Sequence, residues 1–362
     1  MVTGTPFGRL APYDLPRERV MSLSPFGVWN QGFWRYGPHA LRPWHQVAFA
    51  HSFDRVTSRL LDDCDIFNGW ASTSLLSLRA MQRRGTPTVI QTGSAHIRWQ
   101  QRILAEELAR VGLRGELVRP SLVERTVQEY EEADAVVVPS EFARRTFAEE
   151  GIDPAKVAVV RETVPSQPAP APDHRSKVVP QILFVGHADV RKGFPYLLEA
   201  FRQLRSNAVL RVVGHQSAAL MAALQPLPDR VELVGPRPHA ALQAEYAAAD
   251  VFVLPSVEDG FGLVVAEAMS AGLPVVVSEN VGSAELIEEG VSGFVVPARD
   301  ARSLADRLSH LLEDAELRRR VGLRAREAAV GRSWEDYGAD LDAAHRGVLN
   351  RVDLRDPAIG RK

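Results

Sequence analysis

The stretch VFVLPSVEDGFGLVVAEAMSAGLPVVVSE (251–279) decides the fold class of this chain. It consists of an apolar run at 251–255, a loop with two glycines at 256–262, a helix-compatible segment at 263–272 and a second apolar run at 274–279. Apolar runs that do not alternate with polar residues, and that are rich in valine, are typical of parallel strands buried on both faces. The stretch therefore predicts a strand, a helix and a second strand parallel to the first.

The same alternation continues on both sides of this stretch. Further apolar runs in the C-terminal half lie at 182–186, 209–214, 231–235 and 293–297. Helix-compatible segments separate the runs, at 194–205, 217–224, 239–248, 283–289 and 301–313. Strands and helices that alternate in this way predict a doubly wound α/β domain with a parallel sheet.

The N-terminal half repeats the rhythm less cleanly. Predicted strands lie at 19–23, 65–70, 87–93, 135–140 and 156–160, and predicted helices at 73–84, 97–111, 120–132 and 140–150. Four prolines at 164–177 indicate an extended linker, because such a density suits neither a helix nor the interior of a sheet. The chain is thus predicted to hold two Rossmann-like domains, followed by helical patterns at 314–330 and 334–350.

The composition is that of an ordinary globular protein, with 45% apolar and 24% charged residues among 362. A net charge of −2 provides no global attraction to nucleic acid or to an anionic membrane, and nucleic acid is not expected as a partner. Cys64 is the single cysteine, which excludes an internal disulfide and fits a reducing, cytoplasmic location. The opening MVTGTPFGRLAPYDLP lacks the apolar core of a signal peptide, and no apolar run approaches the length of a membrane span.

Charged side chains are concentrated in the segments that follow the C-terminal strands, where open parallel sheets bind ligands. The segment 187–193 contains Arg191 and Lys192 directly before a glycine, and the segment 236–239 contains Arg237. Two cations at the start of a helix suit a phosphate group, because the first N–H groups of the helix add hydrogen-bond donors. A solvated turn is the alternative interpretation of Arg191 and Lys192 taken alone.

The loop with two glycines carries a more specific signal. Gly260 and Gly262 permit close backbone approach or a positive φ, and the helix predicted to begin near Leu263 directs free N–H groups toward the ligand edge. Glu267 follows Asp259 by eight positions, inside an apolar run where an unpaired carboxylate would be costly. If the loop folds back over the helix start, both carboxylates face one ligand rich in hydroxyls. A surface aspartate beside an ordinary helical glutamate is the alternative.

The sequence DGFGLVVAE (259–267) resembles the signature of the retaining glycosyltransferases of family 4, in which an acidic residue and Gly-Phe-Gly precede a glutamate eight positions after the acid. The resemblance extends from about 182 to 345 and implies the GT-B fold, an α/β architecture in which two Rossmann-like, doubly wound domains face a central cleft. The domains it implies are an N-terminal acceptor-side domain at 1–163, the linker at 164–177, a donor domain at 178–332 and a closing helix at 333–352 that returns to the N-terminal domain.

The resemblance also implies roles for individual residues. Glu267 would hold the ribose hydroxyls of the donor, Asp259 the hydroxyls of the transferred sugar, and Lys192 the diphosphate. His96 corresponds to a loop histidine that contacts the transferred sugar, with a capping or core histidine as the alternative. The implied catalytic residues are Lys192, Asp259 and His96. The implied donor-binding residues, some of them through backbone amides, are Gly186, His187, Arg191, Lys192, Arg237, Asp259, Gly260, Phe261, Gly262, Leu263 and Glu267.

Three features depart from the family pattern. The family usually has glutamate at the position of Asp259, so a shorter side chain must reach further here. His187 stands where the family often has arginine, and Arg191 is expected to supply the missing positive charge. The family's N-terminal domain opens with an apolar strand and a glycine-rich loop, whereas this chain begins MVTGTPFG. The first strand is therefore expected to be missing.

Three other features of the N-terminal half point to no defined role. Five of the six tryptophans lie in the first hundred residues, where they suit either core packing or an acceptor cleft. The arginine-containing aromatic segment 26–45 leaves weak association with a membrane surface open. Asp63-Cys64-Asp65 spells the metal-binding DXD of another glycosyltransferase fold, but we interpret it as a solvated turn because it is distant in sequence from the donor motifs.

The expected activity is transfer of a sugar, with retention at the anomeric carbon, from a nucleoside diphosphate sugar to a glycan, lipid-linked or small-molecule acceptor. Neither a metal nor a cofactor beyond the nucleotide-sugar co-substrate is expected. A catalytically impaired nucleotide-sugar-binding protein, and another GT-B enzyme such as an epimerase or phosphorylase, are the alternatives. The sequence leaves the base, the sugar, the acceptor and the oligomeric state open.

Overall fold

The computed structural model describes residues 2–3, 21–38, 41–114, 117–163, 179–329 and 332–355. The chain divides into two compact units. The first unit comprises 1–92, 116–137 and 344–362, and the second comprises 93–115 and 138–343. The predicted linker at 164–177 lies outside the described residues. None of the described helices is long and apolar enough to cross a membrane.

The chain begins with two short strands and two helices. Strand β1 (Val2–Thr3) pairs in parallel with β2 (Met21–Ser22), in a sheet of their own. Helices α1 (Ser24–Tyr36) and α2 (Arg42–Leu60) follow, and each has a proline in its first turn. Neither helix was predicted. Residues 4–20 are not described, so the prediction that the opening strand is missing stays a prediction.

A four-stranded sheet confirms the remaining strands predicted for the N-terminal half. Its order is β3-β4-β5-β6, and it is parallel where β3, β4 and β5 pair. The strands are β3 (Phe67–Trp70), β4 (Thr88–Gln91), β5 (Ala135–Val138) and β6 (Val157–Val159). The helices between them are α3 (Leu75–Gln82), α4 (Ile97–Arg110), α5 (Pro120–Glu132) and α6 (Glu141–Glu149), each within two residues of its predicted bounds.

A six-stranded parallel sheet forms the centre of the second unit and confirms all six predicted C-terminal strands. They are β7 (Gln181–Val185), β8 (Val209–Val213), β9 (Val231–Gly235), β10 (Val251–Leu254), β11 (Val275–Ser278) and β12 (Phe294–Val296). Their order is β12-β11-β10-β7-β8-β9. The chain adds β8 and β9 on one side of β7, then returns to the other side with β10. The point where the strand order reverses therefore lies between β7 and β10.

Helices follow the strands of this sheet as predicted. They are α7 (Phe194–Gln203), α8 (Ala218–Ala223), α9 (His239–Ala248), α10 (Leu263–Ser270) and α11 (Ala301–Glu313). The predicted helix at 283–289 is a short 3-10 helix, Gly282–Leu286. Helices α12 (Ala315–Ala329) and α13 (Trp334–Arg355) end the described chain. Leu183, Phe184 and Phe252 are fully buried, because both faces of the sheet are covered.

Helix α4 packs with the C-terminal sheet rather than with the first unit. Its Glu107 is buried, and the hydroxyl of Tyr196 on α7 lies 3.0 and 2.8 Å from the two carboxylate oxygens. Arg299 forms an ion pair with the same carboxylate at 2.7 Å. The second unit accordingly includes 93–115 together with 138–343, and the domain boundaries expected from the sequence stay a prediction.

Candidate functional site

The candidate site lies at the carboxyl ends of β7 and β10, where the strand order of the second sheet reverses. The loop after β7 ends at Gly193, and the loop after β10 ends at Gly262. Open α/β sheets bind ligands at such a reversal, because the loops on its two sides diverge and leave a crevice. The topology therefore brings together the two segments that the sequence singled out.

Lys192 and Asp259 form an ion pair between these two loops. The ammonium group of Lys192 donates to Oδ2 of Asp259, and the two side chains are 17% and 9% exposed. The backbone N–H of Lys192 donates to Asp189 at 2.9 Å, which fixes the turn that carries the ammonium group. One cation and one carboxylate are thus held at the ligand edge with limited access to water.

Glycines in the left-handed region precede both adjacent helices. Gly193 has φ +68 and caps α7, and Gly262 has φ +82 and caps α10. A Cβ at Gly193 would lie 1.8 Å from the carbonyl oxygen of Pro255, and one at Gly262 would lie 2.8 Å from Val281. Both positions therefore require glycine, as predicted for Gly262. Two helices begin beside Lys192, and their first N–H groups carry partial positive charge.

Gly260 has the close backbone approach that the sequence predicted. A Cβ on this residue would lie 2.1 Å from the carbonyl oxygen of Gly93. Its own carbonyl accepts a hydrogen bond from the Ser140 hydroxyl at 2.7 Å. The N–H of Asp259 donates to Asn280 at 3.0 Å. The loop is therefore held on several sides, and Asp259 is presented from a fixed backbone.

Glu258 is a charged residue of the ligand edge to which the sequence reasoning assigned no role. Its carboxylate is fully buried and accepts hydrogen bonds from Arg191 Nε at 2.5 Å, Gln100 Nε2 at 2.9 Å and the N–H of Ala95 at 3.1 Å. Burial acts to raise the pKa of Glu258, but the charge and hydrogen bond of Arg191, with the donors at Gln100 and Ala95, hold it below its usual value. Arg191 thus supports Glu258, whereas the sequence reasoning assigned it to the donor phosphate.

A signal for Glu258 was present in the sequence. Arg191 and Lys192 are adjacent cations after β7. Glu258 and Asp259 are adjacent acids after β10, the strand that pairs with β7. Consecutive side chains of an extended loop point in different directions, so two parallel pairs of opposite charge were open to prediction.

Glu267 lies in α10 with two partners on α9. Its carboxylate accepts a hydrogen bond from the buried Tyr246 hydroxyl at 2.7 Å and lies 3.3 Å from Nε2 of His239. Burial, followed by the charge of Glu267, raises the pKa of Tyr246. These partners explain how the apolar run tolerates a carboxylate, and they fix its direction. Nothing in the sequence around Tyr246 indicated this pairing.

The remaining predicted donor residues border the same edge. Gly186 follows β7 with φ +149, and His187 after it is 53% exposed, with Nδ1 3.4 Å from Asp189. Arg237, after β9, is 46% exposed and lies 3.9 Å from Glu245. Phe261 is buried and Leu263 is exposed. All of these predicted residues belong to the second unit.

His96 is the N-cap of α4. It is 1% exposed, its Nδ1 accepts a hydrogen bond from the N–H of Arg98 at 3.3 Å, and its ring packs edge-on against Phe147. Burial lowers its pKa to about 4, so the ring is neutral at pH 7. The observed contacts are those of the capping alternative, and its catalytic role stays a prediction.

The DXD sequence lies in an exposed loop of the first unit, ahead of β3. The Asp63 side chain is 97% exposed and 3.5 Å from Arg84, and Cys64 is also exposed. Within the described ranges, no group of three or more histidine, cysteine, aspartate or glutamate residues has an arrangement that could hold a metal ion. The surroundings of Asp63 are those of the solvated turn proposed from the sequence.

Two family models match the chain. The model described as Glycosyl transferases group 1 matches residues 179–314, and that described as Glycosyltransferase Family 4 matches residues 14–168. Together they account for the four-stranded sheet, the six-stranded sheet and the candidate site. The chain belongs to glycosyltransferase family 4 and has the GT-B fold.

Similar proteins agree with this membership. A D-inositol 3-phosphate glycosyltransferase of Thermobifida fusca is 33% identical over 192 residues, 49% of this chain and 44% of that protein. A protein of the same name from Nocardia farcinica is 32% identical over 184 residues, 47% of this chain and 41% of that protein. The match therefore spans less than half the length of these relatives.

Solved structures resemble the chain over a longer range. Sucrose-phosphate synthase from Thermosynechococcus elongatus superposes with a TM-score of 0.67 at 24% identity, covering 87% of this chain and 81% of the other. Anabaena HepE, solved in complex with UDP-glucose, gives a TM-score of 0.62 at 18% identity, covering 82% of each chain. At such identities the likeness shows the fold.

Proposed function

We propose that this protein is a retaining glycosyltransferase that moves a sugar from a nucleoside diphosphate sugar to an acceptor. The observation that carries the proposal is the position of the Lys192 ammonium group. It lies where the strand order reverses, between the starts of α7 and α10, and is held there by Asp259. A cation beside two helix N-termini is suited to a diphosphate, because the ammonium group and the free N–H groups of the helices all attract its negatively charged oxygens.

The same groups would assist the reaction. As the bond between the sugar and the diphosphate breaks, negative charge grows on the leaving oxygen. A fixed cation and fixed N–H dipoles stabilise that charge without having to reorganise. Asp259 would accept hydrogen bonds from the hydroxyls of the transferred sugar, and Glu267, oriented by Tyr246, would accept those of the ribose. Both assignments follow from the family signature and are proposals for this chain.

The comparisons support the class of donor. HepE, which shares the fold, was solved with UDP and with UDP-glucose. The two curated relatives are named D-inositol 3-phosphate glycosyltransferases, which states the same class of reaction. We propose a nucleotide sugar as donor, a role in glycan or glycoconjugate biosynthesis, and no requirement for an added metal ion.

A thermal-shift panel of UDP-, GDP- and ADP-sugars, followed by transfer and donor-hydrolysis assays, tests the proposal. A ligand present at a hundred times its Kd stabilises the folded state by roughly 2.7 kcal/mol, which a melting curve resolves. We expect one nucleotide series to stabilise the protein and its sugar to be transferred or slowly hydrolysed. Stabilisation without turnover would favour the impaired binder, and turnover that requires inorganic phosphate would favour a phosphorylase. The absence of any shift would contradict the donor site.

A further inference from the structure

A cavity of about 530 Å³ lies beside β3, entirely within the first unit. Helix α2 lines it with Phe53, Thr57 and Leu60, and β3 lines it with all four of its residues. Cavities of this volume commonly hold small organic ligands. None of the residues assigned to sugar transfer lines this cavity, which we call the β3 cavity.

Strand β3 presents main-chain groups on its outer edge. Among the described strands it is the last of its sheet, paired only with β4. The N–H of Phe67 donates to Pro87, just before β4, at 2.9 Å, and the N–H of Ala71 donates to Gln91 of β4 at the same distance. Alternate peptide groups of a strand point to opposite edges, so the N–H and C=O of Asn68 point away from β4. The strand thus offers a donor and an acceptor on its outer edge.

The Thr57 hydroxyl is an unsatisfied group in the wall of the β3 cavity. Thr57 is only 8% exposed, yet in the part of the chain that the structure describes its Oγ1 has no hydrogen-bond partner. The hydroxyls of Thr73 and Ser74, which also line the cavity, donate to the carbonyl of Trp70 at 3.1 and 2.8 Å. Buried hydroxyls nearly always have a partner, so Thr57 indicates a ligand that supplies one.

Trp70 and two side-chain amides add the other recognition groups. Trp70 is 55% exposed, although Phe67 of the same strand is buried. The side-chain amide of Asn68 donates to Oε1 of Gln91 at 3.3 Å and has further donor and acceptor capacity. An aromatic ring next to amide and hydroxyl groups suits a ligand that has an apolar face and a rim of hydroxyls, which is the chemistry of a saccharide.

The charges around the β3 cavity are negative. Its described lining residues include Asp62 and Asp63 but no lysine, arginine or histidine. Both acids are exposed, and the Asp63 side chain lies 3.5 Å from Arg84, so they set the charge of the opening rather than hold a ligand. A phosphate or carboxylate would be repelled there. The ligand chemistry is therefore that of an uncharged saccharide.

We propose that the β3 cavity is an ancillary site for an uncharged saccharide, apart from the reacting atoms. The Trp70 ring would pack on the apolar face of a sugar ring, and its hydroxyls would bond with Thr57 and with the main chain of Asn68. Asp62 and Cys64 precede β3, so the cavity extends toward the amino end of the strand. Parallel sheets bind their reacting ligands at the other end.

An added peptide strand fits this edge less well. It would need the main-chain groups of both Asn68 and Trp70, which alternate along the outer edge of β3. The carbonyl of Trp70 already accepts hydrogen bonds from the hydroxyls of Thr73 and Ser74. A saccharide needs only some of these groups and also uses the exposed ring. The proposal does not depend on the proposed sugar transfer.

The test is titration of the full chain with methyl glycosides of glucose, mannose, galactose and N-acetylglucosamine, followed by saturation-transfer NMR. Glucose 6-phosphate and glucuronic acid are the charged counterparts. We expect at least one methyl glycoside to bind, and the charged sugars to bind at least about tenfold more weakly. Thr57→Val should weaken binding roughly threefold to tenfold, whereas Thr57→Ser keeps the hydroxyl and should preserve it. Trp70→Ala should weaken binding about tenfold or more.

Trp334→Ala is the matched control, because Trp334 lies in the second unit and is 56% exposed, like Trp70. It should bind the glycoside as the unaltered chain does, and melting curves of the free variants should show that all of them fold. Absence of binding across the panel, or full binding by Thr57→Val and Trp70→Ala, would overturn the proposal. Transfer of a sugar onto the bound glycoside that Thr57→Val slows would place the cavity in the reaction site, and the ancillary assignment would be wrong.

Discussion

At the scale of single residues, two consecutive pairs of opposite charge connect the loops after β7 and β10. Arg191 pairs with Glu258 and Lys192 with Asp259, but the two pairs differ in surroundings. The Glu258 carboxylate is fully buried and has three donors, whereas Lys192 lies beside the starts of two helices. The buried Glu258 fixes the position of Arg191, whose side chain is 33% exposed, and we propose that Lys192, 17% exposed, is the cation that meets the ligand.

Substitutions of Lys192 and Glu267 should affect the proposed reaction differently. Lys192→Gln keeps a donor for Asp259 but removes the charge that stabilises the leaving diphosphate. The activation free energy should therefore rise by roughly 2.7–4 kcal/mol, which lowers kcat about a hundredfold to a thousandfold. Glu267→Gln keeps an acceptor for Tyr246 but weakens hydrogen bonds present before and during reaction, so KM for the donor should rise about tenfold. Steady-state kinetics with varied donor distinguishes the two effects. Unchanged kinetics in both variants would remove the donor-site assignment.

Glu258→Gln should destabilise the second unit by roughly 1.5–3 kcal/mol, because it weakens the charge-assisted hydrogen bond that the buried Glu258 carboxylate accepts from Arg191. Denaturant unfolding measures this. Glu327→Gln, which breaks an exposed pair with Arg324, is the control and should not change the unfolding midpoint measurably. Because the pKa of Glu258 is lowered on folding, its contribution is present above the ordinary glutamate pKa and is lost as pH falls through the lower folded value. An E258Q protein as stable as its parent would contradict this role.

His96 should make stability depend on pH in a different window. Its pKa is about 4 in the folded chain, against roughly 6.5 when unfolded. The unfolded chain therefore binds the proton first, and stability should decline by up to about 3 kcal/mol as pH falls from 6.5 toward 4. His96→Asn retains a capping side chain and should abolish this decline. His187→Asn, at an exposed histidine, should retain it. Melting temperatures across the window provide the measurement, and a parallel decline in H96N would refute the assignment.

The loops that form the candidate site could be predicted from the sequence. The residues that hold these loops in place through hydrogen bonds could not. Gly262 and Asp259 were identifiable because a helix start after a strand restricts the residues that can stand there. The contacts of Glu258 with Ala95 and Gln100 join positions more than 150 apart, as the differences of 163 and 158 show. No local pattern encodes such contacts, so they appear only once the chain is folded.

At the scale of elements, the strands of the second sheet matched their predicted positions because each is an uninterrupted apolar run. Helices α1 and α2 were missed for the opposite reason. Helix α1 contains two glycines and five aromatic residues and has no acidic residue in its first turn, so neither propensity nor capping indicates a helix. Its apolar residues lie on more than one side, which removes the periodic signal. Contacts with α2 stabilise it instead.

The glycine before α7 should be irreplaceable in a way that a similar glycine elsewhere is not. Gly290 also has a left-handed φ, +74, but a Cβ there would meet no atom within 4 Å. Gly290→Ala should therefore cost only the conformational strain, about 1–2 kcal/mol. Gly193→Ala adds a collision with the carbonyl of Pro255, which must move together with the end of β10. We expect a larger loss of unfolding free energy and loss of the donor-induced thermal shift. Equal effects of the two substitutions would show that the close approach does not matter.

At the scale of the whole molecule, the net charge says little about where the charged side chains lie. A net charge of −2 suggests an indifferent surface, yet Arg191 and Lys192 are adjacent after β7, and α2 carries three arginines and one acid. The division into units shows the same limitation of reading along the chain. Helix α4 follows β4 directly in sequence, but Glu107 holds it to Tyr196 and Arg299 of the second unit. A boundary placed at the linker separates this helix from Tyr196 and Arg299, the residues that hold it.

We propose that the same distribution of charge makes an added metal ion unnecessary. Lys192 and two helix N-termini lie where we propose that the diphosphate binds, and they would take the neutralising role that a divalent ion has in other transferases. The DXD acids, Asp63 and Asp65, belong to the first unit, where Asp63 is almost fully exposed. We therefore expect sugar transfer to continue in EDTA at an unchanged rate, and Asp63→Asn with Asp65→Asn to match the parent enzyme. Lys192→Gln should remain slow with or without added magnesium. Loss of transfer in EDTA that magnesium or manganese restores would show that the protein cations are insufficient, and the same loss in the double asparagine variant would locate the metal at the DXD turn.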